Sequence, residues 1–474
     1  WGPLRSLPSA RLQLKLAQGD VALGSDYALA MARSAFHFWN WAKTQHCRPS
    51  HYFTPSCEEE LVDLVRRASV AGARLRVVGA GHSWSDIVLT EDWLVNLDAY
   101  DQVIAFDHDA MQVTVQSGMR LKALNQHLAQ AGLALSTQGS VAEQSVGGLI
   151  GTGTHGTGLL FPNFSAMVVA LRLVRASGEV LELSAADGEM FSAASLGLGA
   201  LGITSTVTLS VEPAFRLEER SWTLGFDEAV EQVDALVHAH EHLKLWWVPH
   251  IDLVQVFVQN RTLEPSTKPT LRDAWEASAG PRWLFALVLM LGRLFPRLVA
   301  PLNWLMAKSH FRAYRRVAPS HQLFNIPMPP RHDETEWGLP LERTAEAMKR
   351  LQSLIQERGH RVNFVVEVRF VAADDVLLSP AYGRPSCQLG AYSARGPRAN
   401  AAYFDDVQRL AIDMEGRPHW GKSLTCGRAM LSSMESNLER FNAIRARLDP
   451  EGRFQNAFTA RVLDGADARA QSGK

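Results

Sequence analysis

The sequence predicts an α+β chain of two domains, one of them wrapped around a long ligand by glycine-rich loops. Length is the first ground, because 474 residues exceed one ordinary hydrophobic core and call for two domains or one with large insertions. The second is Arg76-Val77-Val78-Gly79-Ala80-Gly81-His82-Ser83-Trp84-Ser85-Asp86, where an apolar run ends in two close glycines, a histidine and small hydroxyl residues. Backbone N–H groups need such a strand-to-loop junction to reach a phosphate, and it sets His82 beside the ligand. The third is Gly151-Thr152-Gly153-Thr154-His155-Gly156-Thr157-Gly158, about seventy residues further on. Two such loops suit a diphosphate held at both ends, for which a dinucleotide is the natural candidate.

Charge and cysteines narrow the class. With 48 basic and 49 acidic residues the net charge is -1, so no overall field draws the chain to nucleic acid. Cys47, Cys57, Cys387 and Cys426 form neither a CxxC pair nor a dense framework, which favours thiols in a reducing, cytoplasmic compartment and no metal site. Residues 1–35 lack the basic start and continuous apolar core of a signal peptide and are expected to be an N-terminal extension. The opening Trp1 in place of Met points to a processed or incomplete start.

Phe36-His37-Phe38-Trp39-Asn40-Trp41 is dense in aromatics and reads as a core or docking segment. Glu58 to Ala71 has Leu61, Leu64, Val65 and Ala68 at helical spacing, with Thr54-Pro55-Ser56 before it and Gly72 after it, so a helix is predicted. Leu75 to Val78 is then a strand feeding the first glycine loop. That loop is not a Rossmann fingerprint, since Trp84 stands at the third glycine of GxGxxG. Gly151, Gly153 and Gly156 do match GxGxxG, but Pro162 and Asn163 follow too closely for the helix that would hold a pyrophosphate. Trp93–Leu97, Val103–Phe106 and Gln112–Ser117 read as strands, Leu121–Ala131 as a helix ended by Gly132, and Leu171–Arg175, Val180–Leu183 and Thr204–Val211 as further strands.

The second half is less regular. Trp283 to Met306 carries an apolar run broken by Arg293, Pro296, Arg297 and Pro301, too short to span a bilayer. A buried or capping helix pair is expected, with an interfacial membrane or partner surface as the alternative. Asn363 to Val371 is predicted as a strand with Phe364, Val366, Val368 and Phe370 on one face and Glu367 and Arg369 adjacent on the other. A carboxylate and a guanidinium there are either solvated or line a polar pocket.

The ordered set GAGHSWSD (79–86), GSVAEQSVGGLIGTGTHGTG (139–158) and LGALGIT (198–204) resembles the FAD domain of the vanillyl-alcohol oxidase superfamily, a PCMH-type FAD-binding fold. Glu367-Val368-Arg369-Phe370, Leu378-Ser379-Pro380, GRPHWGK (416–422) and LDPEGRF (448–454) narrow it to the sugar-1,4-lactone oxidases, the L-gulonolactone and D-arabinonolactone oxidase group, with alditol oxidases as relatives. The resemblance implies an FAD domain over 36–215, a mixed α+β substrate domain over 216–435, and a segment 436–474 returning to the FAD domain. It places FAD on Gly79, Ala80, Gly81, His82 and Ser83, on Ser145, Gly148, Thr152, Thr154, His155 and Gly156, and on Gly202 and Ile203. His82 matches the histidine joined covalently to the flavin, a role that suits an imidazole whose neutral form is nucleophilic. The second loop has no cysteine, so one covalent bond is implied.

In the same family the pair Glu367 and Arg369 lies over the flavin, with Glu367 toward substrate hydroxyls and Arg369 near the pole that gains charge on reduction. Lys422 joins them, and a desolvated lysine beside Arg369 is expected to have a lowered pKa and to help remove the substrate proton. Ser140 matches an active-site serine of the alditol oxidases. Gly139 matches the position that admits oxygen, unless it only serves a turn needing positive φ. The implied reaction is oxidation of an aldonolactone at C2 with molecular oxygen as acceptor, giving an ascorbate-type product and hydrogen peroxide. An alditol oxidase, a lactone dehydrogenase with another acceptor, and a flavin-containing scaffold remain alternatives.

Overall fold

A computed structural model describes residues 36–268, 270 and 279–465, so the expected extension 1–35 lies outside the described residues. After a short antiparallel ribbon of Phe38–Trp39 and His46–Cys47, the FAD-binding half continues with β1 (His51–Phe53), α1 (Glu58–Ala71), β2 (Leu75–Val78) and β3 (Trp93–Asn96). Helix α1 buries the four apolar residues of its predicted stripe, and Gly72 ends it at φ +67, where its N–H turns back to the Ala68 and Ser69 carbonyls. The three strands pair in parallel with β3 central. A second, antiparallel sheet follows from β4 (Val103–Asp107), β5 (Gln112–Gln116), β6 (Val168–Val174), β7 (Val180–Ser184) and β8 (Ile203–Ser210), in the order β7-β6-β8-β5-β4. Between β5 and β6 lie α2 (Leu121–Gln130) and the short α3 (Val146–Gly151). Leu61, Leu64, Leu75, Val95, Val174 and Ile203 form one core between α1 and both sheets, completed by Phe454 from the far end of the chain.

Arg76, expected only as part of an apolar run, is the tie between these layers. Its guanidinium is 2 % exposed and donates to the carbonyls of Gly199, Phe454, Ile87 and Leu198. Burial pulls its pKa down to about 10, yet four carbonyl dipoles engage both of its terminal nitrogens, leaving only the buried Nε without a partner. The Leu75 N–H also donates to the Arg453 carbonyl at 2.7 Å, and Arg461 pairs with Asp86. The C-terminal segment is thus pinned against the first glycine loop.

The other half is one eight-stranded antiparallel sheet. Its strands are β9 (Arg216–Leu224), β10 (His242–Trp247), β11 (Val254–Thr262), β12 (Tyr314–Pro319), β13 (Asp333–Pro340), β14 (Val366–Val371), β15 (Ser386–Ser393) and β16 (Arg417–Pro418), ordered β12-β9-β11-β10-β14-β15-β13-β16. Helices α4 (Phe226–Ala239), α7 (Thr344–Glu357) and α8 (Pro397–Asp413) lie on the sheet, and Trp337, Leu339, Val366, Val368, Phe370 and Leu389 share a core with them. The period of two sends Glu334, Glu336, Glu367 and Arg369 to the opposite face.

Gly151 closes helix α3 ahead of the second glycine loop, and after Pro162 and Asn163 comes a 3-10 turn, Phe164–Met167, where a pyrophosphate-binding helix would stand. Two expectations need correction. The strand expected from Asn363 begins at Val366, so Phe364 is released from the predicted face and packs near Phe285 and His332 on the cavity side. Residues 283–306 do form a pair, α5 (Ala279–Leu294) and α6 (Val299–His310), joined by a turn at Pro296–Leu298, but only its inner side is buried. Among the described residues no helix is long and apolar enough to cross a membrane.

Candidate active site

Two cavities meet at His82, Ser83, Gln144 and Thr152, which line both. The first, of about 130 Å³, runs over the FAD-binding half and is lined by Gly79, Ala80, Gly81, Ser145, Gly148, Gly202 and Ile203. Its floor is bare by necessity: a methyl group on Gly79 would sit 1.9 Å from Ser145 Oγ. The second, of about 260 Å³, lies between the glycine loops, the large sheet and the α5–α6 pair. Together they make a bent channel for a ligand with a polar tail and a broad head.

His82 stands at the bend. Trp41 stacks on its ring with centroids 5.7 Å apart, which gives the aromatic segment 36–41 its place. Its Nδ1 is buried without a hydrogen-bond partner, and burial, aided by Arg120, lowers its pKa to about 4. The imidazole is therefore neutral and has a nitrogen free, which fits a cofactor bonded or docked there.

The wall beyond His82 is charged. One rung of the sheet runs Trp246, Glu367, Gly390, Glu336, and Glu334 faces Tyr392 on the next rung of β13 and β15. Glu367 accepts from Trp246 Nε1 (2.7 Å), Arg369 Nη2 (2.9 Å) and the Tyr392 hydroxyl (2.6 Å). Burial disfavours its charge, but Arg369 and Lys244 prevail and hold its pKa near 2. Arg369 also donates to Ser140 Oγ at 2.5 Å, while its buried Nε has no partner. The pair is thus buried and lines the cavity, at 6 % and 7 % exposure.

Lys422 departs from expectation. Its ammonium lies 2.5 Å from Glu334 and 3.3 Å from Glu336, and these carboxylates outweigh the cost of burial and raise its pKa instead of lowering it. Glu336 in turn meets His155 Nε2 at 2.9 Å, while His155 Nδ1 donates to the Gly156 carbonyl at 2.9 Å. Both ring nitrogens of His155 are thus engaged, which fixes the ring between the second glycine loop and β13. His155 and Thr154 belong to the larger cavity, whereas Gly156 lines neither, because a side chain there would strike Thr137 Oγ1 and Gln138. Gly139 lines the larger cavity without a left-handed φ, so no turn requires a glycine there, and an added methyl would meet the His155 carbonyl at 3.2 Å.

Sequence reasoning missed Glu334, Glu336, Tyr392 and Trp246. The acids sit in Asp333-Glu334-Thr335-Glu336, which reads as a solvated strand edge. Only the pairing of β13 with β15 and of β10 with β14 brings them to one wall.

Residues 49–184 match the FAD binding domain family, and residues 207–462 match the D-arabinono-1,4-lactone oxidase family. The chain is 37% identical over 433 residues to an L-gulono-1,4-lactone dehydrogenase of Mycobacterium tuberculosis, covering 90% of this chain and 98% of that one. It is 34% identical to the L-gulonolactone oxidase of Bos taurus with the same coverage, and 31% identical to a D-arabinono-1,4-lactone oxidase of Kluyveromyces lactis over 83% of this chain and 76% of that one. Among solved structures a cholesterol oxidase from Brevibacterium sterolicum superposes with a TM-score of 0.76 at 16% identity, covering 90% of this chain and 96% of that one, a likeness of fold alone. The two family matches and these relatives make the chain a two-domain FAD-dependent oxidoreductase acting on CH–OH groups. Within that class the chain belongs to the D-arabinono-1,4-lactone oxidase family.

Proposed function

We propose that the protein oxidises an aldono-1,4-lactone, L-gulono-1,4-lactone or a close analogue, at C2 with dioxygen as acceptor, giving an ascorbate-type product and hydrogen peroxide. The observation that carries this reading is the wall of paired charges and hydroxyls facing an otherwise apolar cavity that starts at His82. A small polyhydroxy ring needs such a wall for orientation and such a cavity for exclusion of water.

The glycine cradle and His82 would hold FAD, which when bound takes the hydride from the substrate carbon. We propose one covalent bond, through His82. The protein's own groups do the rest. Arg369, fixed by Glu367 and Ser140, supplies positive charge where charge develops. Lys422 and the free edges of the carboxylates bind hydroxyls, and Gly139 keeps a path open for oxygen. Mixing the protein with L-gulono-, L-galactono- and D-arabinono-1,4-lactone under nitrogen, then air, tests the reading. Flavin bleaching by lactone and recovery in air with peroxide formed are expected. Reduced flavin that persists in air points to the dehydrogenase alternative, which the mycobacterial relative's name favours, and no bleaching with any lactone overturns the substrate class. Flavin that stays with acid-precipitated protein, on the peptide containing His82, supports the covalent bond; flavin released to the supernatant removes it.

We also propose that the chain works in the cytoplasm, with the outer face of α5–α6 resting on an anionic bilayer surface. Of fifteen exposed large apolar residues among the described ones, nine lie between Trp283 and Leu305. Exposed Arg282, Arg293, Arg297 and Lys308 accompany them, and no Asp or Glu occurs from 277 to 332. Apolar anchors with only basic charge around them suit acidic headgroups.

A further inference from the structure

We infer that Glu334 is the final acceptor of the proton released by the substrate hydroxyl, with Lys422 as the carrier between them. This rests on the proposed oxidation and assigns a role to a residue outside Glu367, Arg369 and Lys422, the group expected at the reacting centre. Three buried carboxylates differ in the lone pairs they still have available. Glu367 spends both oxygens on Trp246, Arg369 and Tyr392 and is held as an anion. Glu336 is engaged by His155 at 2.9 Å and by Lys422 at 3.3 Å. Glu334, 2 % exposed and lining the cavity, meets one charged partner, the Lys422 ammonium at 2.5 Å. It is the carboxylate with room to take a proton.

In the proposed step the C–H hydrogen leaves with both bonding electrons as a hydride that bound flavin would accept, and the hydroxyl O–H bond breaks so that its electron pair completes the carbonyl. The O–H proton passes to Lys422 as Lys422 hands one of its own to Glu334. Lys422 ends as the ammonium it was, and Glu334 ends as the carboxylic acid. The charge balance supports this direction, since the electron pair adds one negative charge to a water-poor cavity and the proton left on Glu334 offsets it. Four groups face Glu334: Lys422 after β16, Glu336 on its own strand, Glu367 on β14 and Tyr392 on β15. Burial lifts its pKa to about 7 against the pull of Lys422, with Glu336 and Glu367 adding repulsion. A base poised there can accept and later release a proton near neutral pH.

The test is anaerobic reduction of the flavin-loaded protein by L-gulono-1,4-lactone across pH, with Glu334→Gln and Glu334→Asp. In the wild type the reduction rate should rise as pH passes through about 7, because only the carboxylate accepts. Glu334→Gln should lose about 10²-fold in that rate and lose the rising limb, with flavin content and reoxidation by air unchanged and a lowered melting temperature, because Lys422 loses its nearest carboxylate. Glu334→Asp should keep a limb. Independently of rate, infrared difference spectra on reduction should show a protonated carboxyl band in the wild type that is absent in Glu334→Gln. A wild-type flavin that lactone does not bleach defeats the proposed function itself. Bleaching that keeps its pH limb and its carboxyl band in Glu334→Gln overturns the role of Glu334 alone.

Discussion

On the sheet side of the larger cavity, buried Glu367, Arg369, Glu336 and Glu334 and half-buried Lys422 are held by one another, by Trp246, Tyr392 and His155, at distances from 2.5 to 3.3 Å. On the hairpin side, Phe285, Val288, Met306 and Ala307 line the same cavity from α5 and α6, while Trp283 and Leu294 on the outside are 75 % and 62 % exposed. The sheet wall is over-determined by geometry; the hairpin wall is held by a few polar pins. Asn303 Nδ2 donates to the Pro249 and Val362 carbonyls at 2.9 Å, and Asn363 Nδ2 to the Leu289 carbonyl at 3.3 Å. The difference teaches that one wall carries the chemistry and cannot be altered piecemeal, whereas the other tolerates change on one side only.

The severest break of the contrast is Arg369→Ala. It leaves a buried carboxylate without its cation, at a cost of roughly 3 to 5 kcal/mol, and it removes the positive charge expected beside the cofactor. Thermal melts should show a large loss of stability and stopped-flow reduction should be nearly abolished. A variant that melts as the wild type does and is reduced within a few-fold of its rate would strip the pair of both roles.

Leu289→Ala probes the inner side of the hairpin. Leu289 is 5 % exposed, so truncation should cost about 2 to 3 kcal/mol. Because it is not among the cavity-lining residues, lactone binding should change less than stability. Parallel melts and KM measurements check this.

Gly139→Ala should be milder still. The contacts of 3.2 Å to the His155 carbonyl and 3.3 Å to Thr154 Cγ2 require a shift of a few tenths of an ångström, and no left-handed φ adds strain. We expect about 1 kcal/mol of destabilisation, reduction by lactone unchanged, and slower reoxidation in air if oxygen approaches there. Equal slowing of both half-reactions would assign the glycine to packing.

The legible and illegible parts of the sequence divide along the same line. Helix 58–71 and strand 75–78 were readable because their periodicities are local and end at Gly72 and Gly79. Glu367 and Arg369 were readable as a shared face because they are two apart on one strand. Glu334, Tyr392 and Trp246 were not, since they converge only through pairing of strands far apart in the chain. The direction of the Lys422 shift failed for the same reason: the carboxylates that hold its proton lie on β13, roughly ninety residues earlier. Arg76 was hidden too, because its carbonyl partners come from three separate segments, at Ile87, Leu198–Gly199 and Phe454.

The gentlest perturbation, Leu287→Ser with Trp304→Ser, decides what the outer face of the hairpin is for. Leu287 is 46 % and Trp304 54 % exposed, so neither fills a core and their loss should move stability by no more than about 0.5 kcal/mol each. If the face meets an anionic bilayer, wild-type protein should sediment with vesicles containing phosphatidylglycerol and be released by salt, because basic residues supply part of the attraction. The double variant should stay in the supernatant, with its melting temperature and flavin reduction unchanged. Binding to neutral vesicles alone would assign the contact to the apolar residues without the arginines. Loss of stability would mean that Leu287 and Trp304 pack within the protein and do not meet lipid, and a wild-type protein that ignores both kinds of vesicle would leave the apolar surface to a protein partner. The contrast between the walls is sharpest in this experiment, since the same two helices would line a cavity on one side and meet lipid on the other.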